Sequence, residues 1–71
     1  MQATIYQPLK TAKRIKIFIP FENINLRIAV KKIDSSFWHP HQKLWSVINT
    51  DENYKTLKSI CKGNYIIKKD V

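Results

Sequence analysis

The sequence contains a single glycine, Gly63, and a single cysteine, Cys61, in 71 residues. One glycine excludes a glycine-rich phosphate-binding loop, which needs several glycines close together. One cysteine excludes a disulfide within the chain and is typical of a reducing compartment, so we expect a cytoplasmic protein. No apolar run approaches the roughly 18 residues of a membrane span, and the first residues lack a signal-peptide pattern. We therefore expect no membrane partner.

Acidic residues are also scarce, since five Asp and Glu stand against thirteen Lys and Arg, giving a net charge of +8. A small domain with this excess of positive charge is typical of proteins that bind a polyanion, most often nucleic acid. The alternative is that the lysines only cover hydrated surfaces. The hydrophobic fraction of 44% argues against disorder, and the length allows one domain with a small core.

Hydrophobic periodicity predicts the order β-β-α-β-β-α. Alternating Ile15, Ile17 and Ile19 indicate a half-buried strand, whereas Leu26 and Val30 belong to the apolar stripe of a helix. The predicted strands are residues 3–10, 14–21, 37–40 and 44–49, and the predicted helices are 22–34 and 50–63. Residues 64–71 form either a short strand or an exit to another domain. This order favours an α+β fold, with an antiparallel sheet of about four strands and both helices packed on one face.

The stretch "FWHPHQKLW", residues 37–45, is read as a hairpin with its turn at residues 40–43. His39 and His41 are too few for a zinc site, which needs three or four ligands, so we expect no metal. Strand pairing would bring Trp38 and Trp45 together across the turn. Trp45, between Leu44 and Val47, is better explained as a core residue, whereas Trp38 could instead stack on a base.

The sequence contains no recognisable catalytic arrangement. Cys61 falls on the apolar face of the second predicted helix, where a cysteine is more often packed than reactive. We therefore expect a non-enzymatic domain without a cofactor.

The basic residues provide the candidate DNA-binding site, together with the polar and aromatic residues of the second hairpin. The best candidates surround the first hairpin, where Arg14 and Lys16 share one side of a strand and can reach one phosphate backbone. The full candidate set is Lys10, Lys13, Arg14, Lys16, Arg27, Lys31, Lys32, Trp38, His39, His41 and Lys43.

Several segments carry a family resemblance: "IYQPLK", "KRIKIFIPF", "VKKID", "FWHPHQKLWSV" and "NTDENYKTLK". Together they cover nearly the whole chain. It resembles the N-terminal segment of bacterial tyrosine recombinases, the phage-type integrases. The most specific part is a "W-x-P…K-x-W" hairpin before a "T-x-E-N" helix start. The chain is also similar, more weakly, to the HARP domain of annealing helicases, which has a comparable strand–helix–hairpin–helix order.

The first resemblance implies an accessory, arm-type DNA-binding domain that acts in DNA integration and recombination by a mobile element. Residues 1–71 would be one domain of a longer integrase, with duplex DNA and the downstream core-binding and catalytic domains as partners. It implies no catalysis, because the catalytic arginines and tyrosine belong to another domain, and the only arginines here are Arg14 and Arg27.

Two other functions remain open from the sequence. One is a protein-interaction module between recombinase protomers. The other is binding of single-stranded or forked DNA in the HARP manner, with the tryptophans stacked on bases.

Overall fold

A computed structural model describes residues 2–69, which form five strands and two helices. In chain order, the elements are β1 (Ala3–Gln7), β2 (Arg14–Phe18), α1 (Ile24–Lys31), β3 (Phe37–His39), β4 (Leu44–Ile48), α2 (Asp51–Ile60) and β5 (Tyr65–Lys69). The predicted α+β class is confirmed. The hairpin predicted around residues 40–43 is also confirmed, since β3 and β4 flank that turn and pair with each other.

The five strands form one sheet in the order β3-β4-β2-β1-β5. All neighbours are antiparallel except β1 and β5, which run parallel and pair Ala3 with Tyr65. The prediction of a purely antiparallel sheet was therefore wrong. The sheet has five strands rather than about four, because the segment left open as a short strand or an exit contributes β5. After α2 the chain joins the edge beside β1, a partner some 60 residues earlier that local patterning does not reveal.

Both helices pack on one face of the sheet. The buried residues of the three central strands on that face are Ala3, Ile5, Ile15, Ile17 and Val47. The helices contribute Leu26, Val30 and Leu57 to the same cluster, and Cys61 joins it directly after α2. Burying an aliphatic side chain of this size contributes about 1.5–3 kcal/mol, so a few such residues provide most of the driving force in so short a chain.

A side-chain cap marks the start of each helix, and both helices end earlier than the periodicity suggests. The Asn23 side chain accepts from the Leu26 N–H at 3.2 Å, and the Thr50 hydroxyl accepts from the Asn53 N–H at 3.0 Å. α1 stops at Lys31 rather than at residue 34, and α2 stops at Ile60. The strands are likewise shorter than predicted, since β1 ends just before Pro8 and β2 ends two residues before Pro20. A proline lacks the N–H that a sheet ladder uses.

The Cys61 thiol should be unreactive in the folded protein. It is 5% exposed, and its burial raises the pKa of the thiol above its ordinary value by desolvation. Because the thiolate is the reactive form, we expect iodoacetamide to modify Cys61 at least about tenfold more slowly in buffer than in urea. Mass spectrometry of timed samples measures the two rates, and equal rates would contradict the burial.

Candidate nucleic-acid interface

A cleft of about 570 Å³ lies between α1 and the β3–β4 hairpin. Its walls combine aromatic rings with cationic side chains, and we call it the aromatic cleft. The residues that line it are Phe18, Ile19, Phe21, Arg27, Lys31, Trp38, Pro40, Lys43 and Trp45. None of the acidic residues between positions 2 and 69 is among them. The cleft therefore presents flat apolar surfaces surrounded by charge of one sign.

The tryptophan pair forms the hairpin wall of the aromatic cleft. Trp38 and Trp45 are directly opposed across β3 and β4, with ring centroids 5.3 Å apart and planes inclined by 52°. Trp45 is half-buried and packs against the core, whereas Trp38 remains 42% exposed. The sequence left two roles open for the tryptophans, a core residue or a ring that stacks on a base, and the two rings differ in this respect. Trp45 stabilises the fold, and Trp38 offers an accessible aromatic surface.

Two cations of α1 lie against aromatic rings in the cleft. The guanidinium carbon of Arg27 is 5.1 Å from the centroid of the Phe21 ring, and Lys31 Nζ is 5.8 Å from that of Trp45. Such cation–π contacts contribute roughly 0.5–1 kcal/mol at exposed sites. The contacts are weak enough for a ligand to replace them, and they position both charges at the cleft.

Lys43 contributes the third cation from an unfavourable backbone position. It closes the hairpin turn with φ 56°, and its N–H donates to the His39 carbonyl at 2.7 Å. The left-handed region costs a residue with a side chain about 1–2 kcal/mol and normally favours glycine or asparagine. A lysine here brings a positive charge to the cleft at the expense of local stability.

Two buried N–H donors of cleft residues have no acceptor among residues 2–69. They are Trp45 Nε1 and Arg27 Nε. Buried donors without a partner are rare, because leaving one unpaired costs about 1–3 kcal/mol. Both belong to residues that line the same cleft, so an acceptor-bearing ligand could recover this free energy.

Three other predicted residues lie on the opposite, helix-free face of the sheet. Arg14 donates through Nε to Ser46 Oγ at 2.6 Å, and through Nη2 to the carbonyls of Ser46 and Ser35. His39 Nε2 lies 2.7 Å from the same Ser46 hydroxyl. Arg14 is thus engaged in holding β2, β4 and the segment before β3 together. Lys16 lies two residues along β2 from Arg14 and shares this face.

The network does not form a nucleophilic site. Ser46 is only 1% exposed, so its hydroxyl is inaccessible to a substrate despite the nearby histidine. A serine nucleophile needs both a base and room for the group that it attacks. The arrangement is a buried polar cluster in which each partner satisfies another.

The remaining candidates occupy exposed turns and helix ends. Lys10 and Lys13 flank the β1–β2 turn, Lys32 follows α1, and His41 lies in the β3–β4 turn. The structure therefore brings together Arg27, Lys31, Trp38 and Lys43, and separates them from the first-hairpin cluster. Sequence reasoning missed Phe18 and Phe21 as cleft residues. The signal was weak, since both belonged to a run read only as a strand.

No group of three or more His, Cys, Asp or Glu side chains within residues 2–69 is placed to hold a metal ion. Neither α1 nor α2 has the length and apolar character that crossing a bilayer requires. Comparison of the chain with protein-family models, with curated proteins and with solved structures finds no match.

Replacing Lys43 by glycine should stabilise the domain while removing a cleft charge. Glycine relieves the left-handed strain but gains entropy in the unfolded chain, so Lys43→Gly should raise the free energy of unfolding by roughly 0.5–1 kcal/mol. Lys43→Ala removes the same charge without relieving the strain and should give no increase. Urea denaturation of the two variants checks this, and an equal effect of both would contradict it.

Proposed function

We propose that this chain is an accessory DNA-binding domain of a site-specific tyrosine recombinase, and that it contacts DNA through the aromatic cleft. DNA binding is supported above all by the convergence of Arg27, Lys31 and Lys43 on a cleft that no acidic residue between positions 2 and 69 lines. The recombinase assignment rests on the sequence resemblance, above all on the tryptophan hairpin. The domain would act by docking and would perform no chemistry itself.

Binding would be driven by neutralisation of phosphates at the cleft. Lys31 and Lys43 are exposed lysines on opposite walls, one on α1 and one on the hairpin turn. A duplex lying across the two walls could contact both, with release of condensed counterions. Such contacts position a protein on DNA without reading sequence, which suits a domain that anchors a larger enzyme.

The first hairpin provides a second basic surface at Lys10 and Lys13. Arg14 is a weaker candidate for a phosphate ligand than the sequence suggested, because its Nε and Nη2 donors are already bonded to Ser46 and Ser35. Substituting Arg14 would also disturb the sheet, so its loss of binding could not be separated from loss of structure.

An interaction module between recombinase protomers is the second candidate. The helix-free face exposes large apolar side chains, among them Phe37 at 58% and Ile48 at 47%. Exposed apolar groups close together often mark protein–protein contacts. The excess of cations around the aromatic cleft gives DNA the stronger support.

The salt dependence of duplex binding tests the proposed function. Fluorescence anisotropy of a labelled duplex should give an affinity that falls steeply as salt rises. Each neutralised phosphate contributes roughly −0.9 to the log–log slope, so Lys31→Gln with Lys43→Gln should flatten that slope by about two units.

Two variants of the same net charge serve as controls. Lys55→Gln with Lys69→Gln changes exposed lysines of α2 and β5 and should leave the slope nearly unchanged. Lys10→Gln with Lys13→Gln tests the first hairpin. If that pair flattens the slope and the cleft pair does not, the duplex lies on the first hairpin instead. An absence of binding at low salt would favour the interaction module.

A further inference from the structure

We propose that the aromatic cleft binds one unpaired nucleobase together with its phosphate, so that the domain prefers single-stranded DNA or the unpaired end of a duplex. The inference rests on the proposed function and deepens it by naming the form of DNA. It depends on three features of the cleft, which are its aromatic walls, its unpartnered donors and its cations.

The aromatic walls suit the flat face of a base. On the hairpin side, Trp38 is 42% exposed beside the tilted ring of Trp45, and on the α1 side Phe21 is 79% exposed. Exposing such large rings is unfavourable in water, and a stacked base would cover them. A paired base inside a duplex shows only its edges, so stacking requires a base outside the helix.

The unpartnered donors suit the acceptor atoms of a nucleotide. Trp45 Nε1 and Arg27 Nε are buried without an acceptor among the described residues. Both residues are also in cation–π contact at the cleft, Trp45 with Lys31 and Arg27 with Phe21. A side-chain movement that exposed either donor would let it bond to a base carbonyl, a ring nitrogen or a phosphate oxygen.

The charge and size of the cleft favour a nucleotide over a neutral aromatic ligand. Lys31 and Lys43 can pair with a phosphate while the base stacks deeper in the cleft. The volume of about 570 Å³ lies within the range of roughly 300–1,000 Å³ that is usual for small-ligand sites. It admits a base with its sugar and phosphate, whereas a duplex can only lie across the opening.

Intrinsic fluorescence provides a direct test, because the chain has two tryptophans and both line the cleft. We expect an oligothymidylate of about eight nucleotides to quench this fluorescence and to bind more tightly than a blunt duplex of equal length. Replacing the exposed ring by Trp38→Leu should weaken oligothymidylate binding about 5- to 150-fold, the equivalent of one lost base stack. Blunt-duplex binding should change less than about twofold, because phosphate contacts do not use the ring.

Two further variants serve as controls for the effect of Trp38→Leu. Trp38→Phe keeps an aromatic ring and should retain most of the single-strand affinity. Phe37→Leu removes an exposed ring from the opposite face of the sheet, one residue away, and should leave it unchanged. Thermal unfolding of each variant confirms that the fold persists. Undiminished oligothymidylate binding by Trp38→Leu, or a loss confined to Phe37→Leu, would overturn the inference.

The same experiment distinguishes a free nucleotide from single-stranded DNA as the ligand. It also shows whether the proposed function holds when the inference fails. Thymidine monophosphate should compete weakly, and competition as strong as that of the oligomer would show a free-nucleotide site instead. If Trp38→Leu leaves single-strand binding intact while the Lys31 and Lys43 variant still flattens the duplex slope, the inference fails and DNA binding stands. If neither form of DNA binds at low salt, both fail.

Discussion

The alternation of buried residues along β2 is the constraint on which the rest of the molecule depends. β2 is the central strand, and its Ile15 and Ile17 side chains are fully buried against the helices. Its register pairs Ile17 with Trp45, and the hairpin then pairs Trp45 with Trp38. Because a shift of one residue would move every side chain to the other face, this register fixes both the core and the aromatic cleft.

The same alternation places two sets of polar side chains on opposite faces of the sheet. On the helix-free face, Arg14, Ser46 and His39 satisfy one another and hold the sheet edge together. Near α1, by contrast, Trp45 Nε1 and Arg27 Nε lie buried without a partner among residues 2–69. The polar groups of the helix-free face are therefore paired with one another, whereas two N–H donors near α1 have no acceptor among the described residues. This contrast is the physical reason for placing a ligand in the cleft rather than on the open sheet.

Local stability is reduced at several points around the cleft. Lys43 adopts a backbone conformation that favours glycine, and Phe21 and Trp38 leave ring surface in water. Two buried N–H donors also lack an acceptor in the part of the chain that the structure describes. A domain of this size has only a few kcal/mol of net stability, so these features together are a substantial fraction of it. Features of this kind are typical of binding sites, where residues that recognise a ligand often depart from local rules of stability.

The sequence by itself determined the elements that depend on local patterning. The period-two isoleucines, the apolar stripes of the helices and the proline-containing turn identified two hairpins and two helices, because such signals arise from neighbours along the chain. Only the tertiary structure decided the parallel pairing of β5 with β1, since that partner is remote in sequence. It also decided which basic residues share a surface. Arg27 and Lys31 on α1 line one cleft with Lys43 on the hairpin because α1 packs beside β4, where Lys31 lies against the Trp45 ring. The Arg14 side chain instead bonds to Ser46 on the other face of the sheet.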